Sequence, residues 1–192
     1  MTFGETTVWQ PRRLPHRTAA PRALWPWLTE PGSLTRRMRE LAGERFDVRV
    51  IGEGWGRPWR DEALRVRERA RRLAWVREVM LCCGDEPWIH ARTVAPAAVL
   101  TGPLRRLRYL GRTPIGAMLF GRHRVERGPI EVARLGASDR LYRRTVARLD
   151  AKSAPVLWAR RSAFSVAGRG LLVTEVFLPG LVDAVGRRGR GR

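Results

Sequence analysis

Lysine is almost missing from this chain: Lys152 stands alone, and arginine supplies the rest of the 38 basic residues. Arginine that dominant is read partly as a codon-composition effect, which weakens basic charge as a pointer to nucleic acid. Acidic residues are scarce too, 18 in all, and the formal net charge is +20. Such a field concentrates any anion, whether nucleic acid, acidic lipid or a carboxylated metabolite, without choosing among them. Zinc-finger spacing, a basic region running into heptads and aromatic ribonucleoprotein motifs are all absent, so no specific nucleic-acid partner is expected. Cysteine is limited to Cys82 and Cys83. Neighbours on a strand face opposite ways, so this pair forms no ordinary disulfide, and it lacks the CxxC spacing of a metal or redox site. That points to a reducing compartment, the cytoplasm. No apolar run approaches the roughly 18 residues a membrane-spanning helix needs, and Pro11, Arg12, Arg13 and Pro15 break up any signal-peptide core.

What is present is a core. Apolar residues make up 44% of 192, with eight Trp and five Phe, enough for a globular domain rather than a disordered chain. Residues 1–23, rich in proline and arginine without apolar period, read as an extended or mobile lead-in. Residues 24–182 read as a single domain, and the basic tail 183–192 as disordered.

The most informative stretch is Leu73 to Pro96. Two strand-length runs flank Cys83-Gly84-Asp85 and predict a β-hairpin. Period two sets Arg77 among Leu73, Trp75, Val79 and Leu81, and sets Arg92 with Trp88, His90 and Val94. A guanidinium is costly to bury alone, so each arginine either meets an anionic ligand, pairs with a structural carboxylate or reaches solvent. Around this hairpin the chain predicts a strand over 45–54, a helical turn from Asp61, a strand near Ile130–Ala133, and a second hairpin over 156–166 and 171–178. A short helix after Pro31-Gly32-Ser33 carries Leu34, Met38 and Leu41 on one side, either packed on the sheet or acting as a flap. Thr113-Pro114 starts another short helix at Ile115. Residues 136–155 read as a polar surface excursion with a helix around 141–149. In the last strand Glu175 shares a face with Leu171, Val173 and Phe177. A carboxylate so enclosed must find a cationic partner or take up a proton. It is the best catalytic candidate, with a buried ion pair to Arg77, Arg92 or Arg161 as the competing reading.

Four blocks, REVMLCCGDEPWIHARTVAP at 77–96, LGRTPIGAMLF at 110–120, LWARRSAF at 157–164 and LLVTEVFLP at 171–179, resemble in order the chorismate lyase family. The resemblance implies an α+β fold: a six-stranded antiparallel β-sheet with helices over one face and two helix-turn-helix flaps. It implies cofactor-independent elimination of pyruvate from chorismate to give 4-hydroxybenzoate for ubiquinone biosynthesis, with no metal, and product inhibition if flaps close over the product. Carried over by position, Arg77 would bind a carboxylate and Glu175 would contact the ring hydroxyl, these two being the catalytic pair. Leu34 and Ile115 would touch the ligand from the flaps, and Arg92 would meet the pyruvyl carboxylate. Residues 136–155 look like an insertion relative to shorter members, and a monomer is expected. The rival function is a non-catalytic sensor of an acidic effector with the same fold. Such domains normally follow a winged helix, and the lead-in before Leu24 is too short for one, which favours the enzyme.

Overall fold

The computed structural model describes residues 7–12, 20–69, 71–121, 125–149, 154–166 and 169–190. In chain order these form β1 (Gln10–Pro11), α1 (Trp25–Leu28), α2 (Leu34–Ala42), β2 (Phe46–Gly56), α3 (Arg60–Arg65), β3 (Ala74–Cys83) and β4 (Glu86–Pro96). Two 3-10 helices follow, Ala97–Leu100 and Gly102–Tyr109, and then α4 (Gly116–Leu119), β5 (Glu126–Arg127), β6 (Glu131–Leu135), α5 (Arg140–Val146), β7 (Leu157–Val166), β8 (Arg169–Phe177) and α6 (Pro179–Arg190). One antiparallel sheet runs β1-β6-β7-β8-β4-β3-β2, with β5 on β7. Six strands of five residues or more carry it. The two beyond the expected six, β1 and β5, are two residues each.

Alternation along the strands sorts the core into two layers. On one face, Val79, Leu81, Ile89, Trp158 and Phe177 pack under Leu24, Trp27, Leu28, Leu34 and Met38 from α1 and α2. Leu181 and Val185 of α6 join this layer. On the other face, Met80, Cys82, Ala159 and Val176 pack under Leu141 and Tyr142 of α5. Cys82 and Cys83 are free and lie in opposite layers, as adjacent strand residues must.

The structure corrects three readings. Gln10–Pro11 is strand, paired with Glu131–Val132, so the lead-in is not uniformly mobile; residues 1–6 and 13–19 lie outside the described residues. The tail from residue 183 continues as helix to Arg190, because Leu181 and Val185 sit one turn apart and bury a stripe. Helix α5 is core rather than excursion: Leu141, Tyr142 and Thr145 are buried. Thr145 Oγ1 lies 2.8 Å from Nδ1 of His90, which burial pushes down to about 4, so this imidazole is a neutral part of the core. The helix also adds cover on the second face, beyond helices over one face alone.

Candidate active site

The hairpin β3–β4 decides what the site can contain. Its turn is Gly84-Asp85, with Gly84 at φ +61°, a conformation that favours glycine. An unbroken two-residue turn would set Arg77 directly opposite Arg92. A bulge between Leu81 and Cys82 shifts the pairing by one, so Arg77 faces Thr93 and Arg92 faces Glu78. Cross-strand partners share a face, so the bulge sends the two arginines to opposite sides of the sheet.

Arg92 therefore lies away from the other expected ligand contacts. Buried to 5% exposure, it donates from Nε to Glu62 (2.6 Å) and from Nη1 to Glu78 (2.9 Å), and it stacks on Trp59 at 4.3 Å. Glu78 takes a further bond of 2.6 Å from Arg144. Burial alone would raise the Glu78 carboxyl, but the Arg144 bond and the Arg92 charge outweigh it and hold the group below the usual carboxylate range. The register thus sets Arg92 against Glu62 and Glu78, on the side of the sheet away from Arg77 and Glu175.

On the helix-covered face, register aligns Val79, Ala91, Glu175 and Arg160 in one row, with Arg77, Thr93, Val173 and Ser162 in the next. Glu175 accepts a 2.6 Å bond from Nε of Arg160, whose side chain is 2% exposed. The carboxylate's partner is thus Arg160 and not Arg77, Arg92 or Arg161; Arg161 faces the other way, onto Glu131 and Asp61. Above the pair close two helical flaps. Helix α2 is capped by Ser33, whose hydroxyl accepts from the Arg36 N–H. The turn before α4 presents Ile115, and Thr113 makes no side-chain cap there. The flaps touch at Gly116, where an added Cβ would stand 2.9 Å from Ser33 Oγ and 3.0 Å from Thr35 Oγ1; only glycine lets them meet. Leu34, Ile115, Phe164, Arg127, Arg160 and Glu175 enclose a cavity of about 20 Å³, the space of a single water. A ring-sized ligand enters only when the flaps part.

Three arginines from the sheet fasten the roots of these flaps. Arg77, 2% exposed, donates from Nη2 to the carbonyls of Gly111 (2.7 Å) and Thr113 (3.1 Å), at the root of α4. Its Nε is buried without a hydrogen-bond partner, although a Glu53 carboxylate oxygen lies 3.4 Å away, and burial pushes its pKa down. Arg160 Nη1 donates to the carbonyls of Trp27 and Glu30, before α2. Arg127 donates from Nη1 to the carbonyls of Glu30, Pro31 and Gly32 and from Nε to Ser162. Burial first, then the charge of Arg160, pushes Arg127 down to about 10, and no carboxylate stands within ion-pair distance of it among the described residues. Arg127 and Arg160 escaped the sequence reading. Arg160 had a signal, since an unbroken second hairpin that pairs Val166 with Arg169 sets residue 160 opposite 175. Arg127 sits on a two-residue strand too short for alternation to show.

A buried Glu–Arg pair with further guanidiniums beside it, beneath two helices that meet over a small cavity, defines the class of domain. The chain belongs to the chorismate lyase family, whose model matches residues 5–187. It is 46% identical over 157 residues to a probable chorismate pyruvate-lyase of Methylococcus capsulatus, covering 82% of this chain and 95% of that one. A protein of the same description from Halorhodospira halophila is 44% identical over 184 residues, 91% of this chain and 95% of that one. Among solved structures, a GntR-family transcriptional regulator from Bacillus cereus superposes with a TM-score of 0.53 at 13% identity, covering 71% of this chain and 94% of that one. The effector-binding domain of the Bacillus subtilis trehalose repressor gives 0.52 at 9%, covering 69% and 90%. At these identities the likeness to regulators is one of fold.

Proposed function

We propose that this protein is a chorismate pyruvate-lyase that eliminates pyruvate from chorismate to leave 4-hydroxybenzoate, the aromatic precursor used in ubiquinone biosynthesis. The observation that carries the reading is the Glu175–Arg160 pair enclosed beneath the Leu34 and Ile115 flaps, beside a row that includes Arg77. A cytoplasmic monomer acting as one domain is part of the same reading.

Chorismate is a dianion whose ring becomes aromatic when the enolpyruvyl ether carbon–oxygen bond breaks and the carbon bearing the hydroxyl loses its hydrogen. The reaction is strongly downhill, so the protein's task is positioning and electrostatics. Two carboxylates call for two cations. Arg77 takes the ring carboxylate: its Nη2 already donates to two oxygens, the Gly111 and Thr113 carbonyls, whose place a carboxylate takes. Arg127, half-buried and without a carboxylate within ion-pair distance among the described residues, takes the role that sequence position gave to Arg92 and meets the pyruvyl carboxylate. Glu175 faces the ring hydroxyl. Either it removes the hydrogen from the adjoining carbon while enolpyruvate leaves and is protonated at its methylene, or it holds the hydroxyl while the hydrogen passes to that methylene within the substrate. Arg160 holds the Glu175 carboxylate in place in both routes.

Incubating the purified chain with chorismate alone and resolving the products tests the reading. Equal amounts of 4-hydroxybenzoate and pyruvate are expected; unchanged chorismate in the presence of folded protein would overturn it. The placement of Arg92 has its own check. Arg92→Ala leaves the buried Glu62 without its ion pair and Glu78 with Arg144 alone, and is expected to lower unfolding free energy by about 3–5 kcal/mol in a denaturant titration. Turnover per folded molecule at low temperature should stay near wild type, and a loss beyond about tenfold would return Arg92 to the active site.

A further inference from the structure

On the face of the sheet opposite the flaps lies a second cleft, of about 580 Å³, between the edge strand β2 and helix α5. Its floor is Glu78 with Arg92, and its wall is built from Arg140, Arg143, Arg144 and Arg148. Spacings of three, four and eight residues from Arg140 string these guanidiniums along one side of the helix and the turn that follows it, over roughly 12 Å. The opposing wall is β2, where Gly52, Gly54 and Gly56 alternate with Ile51, Glu53 and Trp55. A Cβ placed on Gly52 or Gly54 would meet nothing within 4 Å, so packing within the chain does not demand glycine there. What glycine does is leave the edge backbone bare, with N–H groups that no neighbouring strand on that side accepts.

Charge accounting sets the kind of occupant. Arg92 and Arg144 are balanced by Glu62 and Glu78 within one buried network. Glu53 is engaged by Arg77. Arg57, Arg140, Arg143 and Arg148 remain, all lining the cleft and none within ion-pair distance of a carboxylate among the described residues. Two of them are pre-positioned: Arg140 stacks on Trp59 at 4.6 Å, and Arg143 donates through Nη1 to the carbonyls of Ala137 and Ser138. Holding like charges around one concavity costs free energy that a bound anion returns.

We propose that this cleft is a binding site for a soluble diphosphate, a compact polyanion whose several charges the four unbalanced guanidiniums can neutralise. A dicarboxylate of the substrate's size brings fewer and more widely spaced charges, so the site differs in specificity from the pocket under the flaps. Planar guanidinium forks pair with phosphate oxygens two at a time, and the bare β2 backbone offers further donors.

Inorganic pyrophosphate titrated into the full-length protein, at an ionic strength held near 0.15 M, tests the proposal by calorimetry. One saturable site is expected, with Kd on the order of 10 μM and inorganic phosphate at least about tenfold weaker. The triple variant R140Q/R143Q/R148Q should weaken pyrophosphate about 30-fold or more while turning over chorismate as wild type does. The control R36Q/R39Q/R105Q removes as much charge from exposed positions elsewhere and should leave binding within about twofold. Non-saturable binding, or equal losses in both variants, would mean that pyrophosphate reads only the overall positive charge and would overturn the site. Should the triple variant fail to fold, R57Q/R148Q, at exposed positions without a described partner, is held to the same comparison at an expected loss of about tenfold.

Discussion

Replacing Glu175 by glutamine is expected to reduce kcat on chorismate by about 10²–10⁴-fold while the protein stays folded. Glutamine keeps an oxygen to accept the 2.6 Å bond from Arg160 but carries no negative charge and is no base. Alanine is the poorer test. It strands a guanidinium of 2% exposure, at a stability cost of about 3–5 kcal/mol, which would blur lost chemistry with lost fold. Near-ultraviolet circular dichroism and a denaturant titration on the glutamine variant separate the two. Turnover within about fivefold of wild type would remove Glu175 from the mechanism and leave the pair as structure alone.

The second large effect belongs to Arg77. Arg77→Ala is expected to lower kcat/KM by about 10²–10³-fold, equivalent to about 3–4 kcal/mol of lost binding to a charged group. The loss should fall mainly on KM, and binding of 4-hydroxybenzoate, measured by its effect on the melting temperature, should weaken with it. Arg77→Lys should recover little, because an ammonium cannot reproduce a planar fork aimed at two oxygens. An alanine variant with wild-type KM and reduced stability alone would mean that Arg77 serves only the Gly111 and Thr113 carbonyls.

Much of this arrangement is legible in the sequence. Alternation and turn chemistry locate both hairpins, spacing locates the two short helices, and the family resemblance makes them flaps; Leu34, Ile115 and Glu175 line one cavity. Arg92 lies on the other side of the sheet from Arg77 because one bulged residue reverses which side of a strand faces in, and nothing in GDEPWIH marks where the bulge falls. A like-charge argument could have raised the alarm, since an unbulged hairpin puts two arginines directly across from one another. Helix α5 was misjudged because Leu141, Tyr142 and Thr145 form a thin stripe on a seven-residue helix rich in arginine, and partners such as Met80, Cys82 and Val176 come from strands far away in sequence. The helical tail hid behind its glycines and arginines, where two apolar residues a turn apart were enough once a groove on the sheet received them.

The arginines at the flap roots give this protein an economy of parts. Each guanidinium that fastens a flap does so through backbone carbonyls, weak acceptors compared with a carboxylate, and a ligand with two carboxylates competes for those same donors. Seizing the ligand and letting go of the doorway are then one exchange of partners. Mutations that tighten either flap root should slow traffic in both directions, so selection on this scaffold acts on the balance between carbonyl and carboxylate more than on the strength of either.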